Sequence, residues 1–219
     1  MRLRNIPGSR EVIADSSFCI HDEKAAKGRW NTEIFSNDHP MEIEIGMGKG
    51  QFILAKAQAY PERNFVGIEK FSSVLLRGIQ KMEELEAEGT APSNLRFIRM
   101  EAEYITDVFS PGEVSRIYLN FSDPWPKDRH AKRRLPSKEF LARYEQILIP
   151  DGTLEFKTDN QDLFSFALQE ADLAGWKKLA VTRDLHHDPV LMEGNIMTEY
   201  EAKFSALGNP ICKLILQRP

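Results

Sequence analysis

The sequence predicts an α/β fold, a mostly parallel, doubly wound sheet with an antiparallel hairpin at one edge. Three observations carry this. Strand-like and helix-like apolar patterns alternate along the chain, which implies parallel pairing through crossover helices. Distinctive glycine, acidic and proline motifs fall at the predicted strand ends, where open sheets of this kind bind ligands. No internal repeat, low-complexity tract or linker breaks the rhythm. Residues 41–219 therefore read as one domain, preceded by an N-terminal arm over residues 1–40.

The arm is polar and irregular, with Arg2, Arg4 and Arg10 near its start. Residues 41–45 then alternate and run into glycine, a strand followed by a tight turn. Phe52, Ile53, Ala55 and Ala57 suit a helix stopped by Pro61. Residues 64–68 form a second short strand. Phe71, Val74, Leu75, Ile79, Met82 and Leu85 recur at helical spacing up to Gly89. Residues 95–100 and 116–121 read as the third and fourth strands. Ser137 can cap a helix carrying Phe140, Leu141, Tyr144 and Leu148. A fifth strand spans 153–157. Leu163, Phe164, Ala167, Leu168 and Ala171 form a helix ended by Gly175. Residues 176–182 and 211–217 supply two closing strands, with no strong helix required between them.

Composition narrows the function classes. A chain of 219 residues with 42% hydrophobic and 28% charged residues fits a soluble domain with a full core. The apolar stretches are strand-sized, so no membrane span is expected, and the start lacks the apolar core of a signal peptide. Cys19 and Cys212 match neither a metal spacing nor a disulfide framework, which points to a reduced, cytoplasmic protein without a metal. Association as a monomer or a homodimer stays open. The net charge of -4 argues mildly against a polyanionic partner. Yet five of the eight residues 127–134 are Lys or Arg, and local concentration is what counterion release rewards.

The first strand ends in Glu44, Ile45, Gly46, Met47, Gly48, Lys49 and Gly50. A dinucleotide loop prefers G-x-G-x-x-G, with pyrophosphate on the helix N-terminus. Here the spacing is G-x-G-x-G and an acid precedes it, which would repel pyrophosphate. That acid suits a cationic ligand, such as the amine or sulfonium of S-adenosylmethionine. An ordinary glycine-rich turn explains the loop equally well. Glu69, at the end of the second strand, shifts the balance. It lies about 20 residues beyond the glycines, the distance expected of an acid that holds ribose hydroxyls. It could otherwise be a surface acid favoured at a helix start. Glu101, after the third strand, could reach an adenine amino group or lie in solvent.

The fourth strand runs into Ser122, Asp123, Pro124, Trp125, Pro126 and Lys127. Two prolines around a tryptophan hold such a loop extended and rigid, which suits an in-line displacement that depends on alignment. Asp123 would project from the strand end. Trp125 could stack on a base or simply pack the loop.

These residues, with Gly67, Ile68, Glu69, the run 129–134, Lys157, Thr158, Asp159 and Thr198, Glu199, Tyr200, Glu201, resemble the bacterial tRNA (guanine-N7)-methyltransferase family. The matching motifs occur in order from residue 41 to 201. The resemblance implies a Rossmann-like S-adenosylmethionine-dependent methyltransferase fold and methylation of a guanine at N7 in the tRNA variable loop. It implies that Glu44, Gly46, Gly48, Glu69, Glu101 and Asp123 bind the cofactor, with Asp123 also catalytic. It assigns Lys127, Asp159 and Thr198, Glu199, Tyr200 and Glu201 to the substrate, and Arg129, His130, Lys132, Arg133 and Arg134 to RNA. Glu101 departs from the family pattern, where Asp or Asn is common. Guanine N7 carries a free lone pair, so no general base is needed. Asp123 is expected to accept from N1–H and N2–H2 of the guanine and to stabilise the positive charge that develops.

Simpler readings compete. The basic run could be a solvated loop, although its density beside a catalytic loop favours phosphate contacts. Residues 158–160 make a good N-cap, and Thr198 with Glu201 fits the capping box. His186, His187, Asp184 and Asp188 share a polar loop without metal spacing. Two other functions remain: a methyltransferase acting on an exocyclic adenine amine or a small molecule, and a noncatalytic RNA-binding protein. The basic run disfavours a small substrate, and the intact acidic and glycine motifs disfavour a noncatalytic role.

Overall fold

The computed structural model describes residues 6–219, so Arg2 and Arg4 lie outside it. The chain forms two compact units, which divide between Ser110 and Pro111.

The first unit carries α1 (Ser9–Asp15), β1 (Cys19–Ile20), β2 (Met41–Ile45), α2 (Gln51–Ala59), β3 (Asn64–Ile68), α3 (Ser72–Ala87), β4 (Leu95–Ile98) and α4 (Ile105–Val108). Its strands lie in the order β1-β4-β3-β2, and the pairs β1/β4, β4/β3 and β3/β2 are parallel. All five residues of β2 and of β3 are buried. The alternation in β2 therefore does not mark a wet face. Glu42 is enclosed and its carboxylate accepts from Arg63, which makes the buried charge tolerable.

Residues 9–35 are more ordered than their polarity predicts. They form α1, the edge strand β1 and a π-turn at Trp30–Phe35. Ile13 and Phe18 join the core cluster with Ile53, Phe65 and Phe97. Trp30 is fully buried, stacks on Phe109 and donates its indole N–H to Val108 O at 3.0 Å. A few large, irregularly spaced apolar anchors do here what periodic patterning does elsewhere.

The second unit carries β5 (Val114–Asn120), α5 (Lys138–Ile147), β6 (Leu148–Thr158), α6 (Gln161–Leu173), β7 (Lys177–Thr182), α7 (Pro189–Met192), α8 (Glu199–Ala206) and β8 (Cys212–Gln217). The strand order is β5-β6-β8-β7, parallel at β5/β6 and antiparallel at β6/β8 and β8/β7. The antiparallel pair is present at this edge, but it is not a tight hairpin, because α7 and α8 lie within its connection. Ser137 sits at the N-cap of α5 with extended backbone, yet its hydroxyl makes no cap bond. The Lys138 N–H donates instead to Glu170 at 2.6 Å, so a carboxylate from α6 satisfies that helix start. Among the described residues, no helix is long and apolar enough to cross a membrane.

Candidate functional site

In the first unit, the loop after β2 is built on positive φ. Gly46, Gly48 and Gly50 stand at 76°, 59° and 75°, values that side chains rarely adopt. Gly46 and Met47 both donate to Ile68 O, at 2.9 and 3.0 Å, which folds the loop back over the end of β3. Met47 turns inward and is buried. A Cβ on Gly46 or Gly48 would meet no described atom within 4 Å, so the backbone there faces open space. Gly67 is the reverse case: a Cβ would collide with Met47 Sδ and approach Phe97 to 2.9 Å. Packing requires that glycine, while the loop glycines leave room for a ligand.

Glu69 ties these pieces together. One carboxylate oxygen accepts from Gly48 N at 3.2 Å and the other from Phe71 N at 2.9 Å. Burial pushes the Glu69 carboxyl above the usual carboxylate value, against the N–H groups of Phe71, Gly48 and Lys70, which pull it down. Glu44 is buried at the end of β2, while Glu101 is exposed and precedes a 3₁₀ turn, Ala102–Tyr104. The structure thus brings Glu69 onto the glycine loop and leaves Glu101 in solvent.

In the second unit, the segment after β5 takes two uncommon backbone states. Phe121 stands at φ 52° and Trp125 at φ 43°, both strained for bulky residues. Phe121 N donates to Lys157 O at 2.9 Å and fixes where the loop leaves the strand. Its ring stacks on Tyr200 and Phe204 at 6.2 and 6.5 Å. Asp123 is exposed. Ser122 Oγ is buried without a hydrogen-bond partner among the described residues.

Arg134 braces this loop. Its guanidinium donates to Pro124 O at 3.0 Å and to Trp125 O at 3.3 and 3.1 Å, and lies over the Phe166 ring at 4.4 Å. Residues Asp128–Arg133 form a 3₁₀ turn. His130 meets Trp125 edge-on at 5.6 Å, and Arg133 lies over the same ring at 5.2 Å. One tryptophan face is thus shared with a cation. Lys127, Arg129, Lys132 and Arg133 are exposed. Lys132 stands 4.0 Å from Glu139, with 82% of its side chain accessible, so it is barely held.

The segment 195–201 closes on the end of β6. Lys157 is fully buried and donates to Glu201 Oε2 at 2.6 Å, Ile196 O at 3.0 Å and Asn195 Oδ1 at 3.2 Å. Glu201 is likewise fully buried and also accepts from Asn195 at 2.7 Å. Thr198 caps α8 by accepting from Glu201 N at 2.9 Å, but the Glu201 carboxylate turns to Lys157 rather than back to the cap. This is half of a capping box. Tyr200 is 48% exposed and Glu199 is half-buried. Asp159 is half-buried, and the cap of α6 is its neighbour Asn160, which accepts from Leu163 N at 2.8 Å.

Sequence reasoning included Lys157 in a motif but gave it no role. A lysine directly after Phe156, at the buried end of a predicted strand, is the signal that could have marked it. The nearby histidines have local partners: His186 with Glu201 at 3.2 Å and His187 with Asp184 at 2.9 Å. Asp188 caps α7 by accepting from Leu191 N.

Comparison with known proteins extends this picture. A family model described as "Putative methyltransferase" matches residues 38–214. A tRNA (guanine-N(7)-)-methyltransferase of Lachnoclostridium phytofermentans is 60% identical, over 100% of this chain and 99% of its own. The protein of the same description from Bacillus subtilis is 47% identical, covering 96% of each chain. Among solved structures, a 16S rRNA methyltransferase, KamB, matches with a TM-score of 0.63 at 15% identity, over 85% of this chain and 91% of that one. A 16S rRNA methyltransferase variant from Catenulisporales acidiphilia, solved with the cosubstrate SAM, matches at TM-score 0.59 and 15% identity, over 91% and 92% of the two chains. These distant structures establish a methyltransferase fold for this chain.

Proposed function

The chain belongs to the tRNA (guanine-N7)-methyltransferase family, and from this we propose how its residues methylate N7 of a guanine in the tRNA variable loop. S-adenosylmethionine is the donor that fits. The open space before Gly46 and Gly48 admits a ligand against bare backbone, with Glu44 next to the last residue of β2 and Glu69 directly after β3. Glu44, Gly46, Gly48 and Glu69 would hold it, and Glu101, exposed before ligand is bound, would meet the adenine. When bound, S-adenosylmethionine supplies an electrophilic methyl group on a sulfonium.

The chain's own residues supply orientation and charge. Asp123 accepts from N1–H and N2–H2 of the guanine, which fixes the base and favours the positive charge that N7 acquires. No residue needs to remove a proton before attack, because the N7 lone pair is already free. Lys127, Asp159 and the residues Thr198, Glu199 and Tyr200 border the substrate. Glu201 acts behind them through its buried pair with Lys157. Arg129 and Lys132 meet phosphates, while His130, Arg133 and Arg134 brace Trp125 and its loop. The observation that carries this reading is the loop itself: an exposed Asp123 between two strained residues, pinned by Arg134 and followed by an exposed basic turn. A loop of that kind holds a carboxylate in one place for one incoming base. The cytoplasm, where tRNA is found, is the proposed setting.

The test is direct. The protein is incubated with methyl-labelled S-adenosylmethionine and bulk tRNA, and the RNA is digested to nucleosides. Label in 7-methylguanosine is expected. Label in another nucleoside, or none, overturns the assignment.

A further inference from the structure

We propose that Lys157 is a positioning residue for methyl transfer, anchoring the Asp123 loop through its main chain and the Tyr200 segment through its side chain. The proposal rests on the function given above and adds a residue to it.

Lys157 is the next-to-last residue of β6 and pairs in register with Asn120, the last residue of β5. Its carbonyl accepts the Phe121 N–H at 2.9 Å, so it fixes the first residue beyond β5 in its strained conformation. Its ammonium points to a different stretch of chain. An ammonium has three N–H donors, and three acceptors within 195–201 take them: Asn195, Ile196 and Glu201. Glu201 then holds Asn195 from its other oxygen. The anchored segments also touch each other, since the Phe121 ring stacks on Tyr200 at 6.2 Å. One residue therefore holds two stretches that the proposed function places at the substrate, two residues from Asp123 on one side and one residue from Tyr200 on the other.

Stability alone is a poor reason for such a lysine. Burying two charges carries a desolvation penalty of several kcal/mol per ion, and well-packed apolar replacements are often neutral or stabilising. What an apolar pair cannot do is hold three points of a loop by directed hydrogen bonds. Transfer to N7 depends on alignment, and displacements of about 1 Å can lower a rate about 100-fold.

The single change Lys157→Met would strand the buried Glu201 charge and risks unfolding. The test therefore uses Lys157→Met/Glu201→Leu, which removes both charges, and Asn195→Ala, which keeps the ion pair and cuts one point of the clamp. Melting temperature, S-adenosylmethionine affinity by calorimetry, and kcat and KM for tRNA are measured on each. The double variant is expected to fold, to bind S-adenosylmethionine within about twofold of the parent, and to lose about 10- to 100-fold in kcat. Asn195→Ala is expected to lose kcat by a smaller factor with an unchanged melting temperature. Amide hydrogen exchange of Phe121 and residues 195–201 reads the anchoring without reference to activity, and faster exchange in both variants is expected. A folded double variant with kcat within twofold of the parent overturns the proposal. If the double variant does not fold, unchanged kcat and unchanged exchange in Asn195→Ala overturn it. Failure of the parent protein to form 7-methylguanosine would count against the function itself, and the exchange measurement would still decide the anchoring.

Discussion

Arg134 belongs by charge to the basic run, but by geometry to the loop that carries Asp123, and replacing it separates the two roles. Its guanidinium holds the carbonyls of Pro124 and Trp125 and covers Phe166. Two carbonyls held by one cation contribute about 2 kcal/mol together, less than two full charged hydrogen bonds because the guanidinium is half-exposed. The ring contact adds about 0.5 kcal/mol. Against this stands the strain of Trp125 at φ 43°, of order 1 kcal/mol or more. Arg134→Ala removes the restraint and leaves the strain, so the ordered loop should become about 50-fold less favoured at about 1.4 kcal/mol per factor of ten. Lys cannot restore a two-carbonyl fork, so Arg134→Lys should resemble Ala. The assay is kcat for methyl transfer beside tRNA affinity across a salt series. Arg134→Ala should lower kcat by up to the same 50-fold factor and leave the slope of log affinity against log salt unchanged. Lys132→Ala, by contrast, should reduce that slope by about 1. If Arg134→Ala flattens the slope as Lys132→Ala does, with kcat within twofold of the parent, Arg134 is a phosphate contact and the bracing argument fails.

Asp123→Ala should reduce turnover by at least about 100-fold without moving the melting temperature, because the side chain is exposed; near-normal turnover would refute its assigned role. Glu69→Gln should weaken S-adenosylmethionine binding in calorimetry. Its stability effect has a definite sign. Burial raises the Glu69 carboxyl, so its ionised form opposes folding at neutral pH, and that opposition fades as pH falls through the raised value towards the ordinary carboxylate value. Any melting-temperature advantage of the ligand-free Gln variant should therefore shrink as pH falls, and an advantage that grows would be fatal. Gly67→Ala should lower stability by about 1–3 kcal/mol through overpacking against Met47 and Phe97, read as a lower thermal midpoint.

What the sequence made legible has a local origin. The strand at 41–45, the glycine loop and Glu69 were readable because turn residues and an acid at fixed distance follow from the backbone itself. The cap at Thr198 was readable for the same reason. Three features were not. Ser137 looks like a cap, but the group that serves Lys138 N–H comes from Glu170, 32 residues away. Lys157 finds Glu201 across 44 residues, and no local pattern encodes that pairing. Residues 9–35 enter the core through Ile13, Phe18 and Trp30, whose spacing follows neither the helix nor the strand period.

The basic run shows why charge density alone could not assign roles. In a 3₁₀ turn, side chains three residues apart eclipse one another. Arg129 and Lys132 are such a pair, and so are His130 and Arg133. The second pair flanks the Trp125 ring, at 5.6 and 5.2 Å. Arg129 and Lys132 are both exposed, and Arg129 also donates to the His130 ring at 3.4 Å. One short helix thus sets His130 and Arg133 against the Trp125 ring while Arg129 and Lys132 stay exposed beside them. Under the proposed function a negative net charge is no obstacle to RNA, because counterion release depends on the cations that meet phosphates and not on the average.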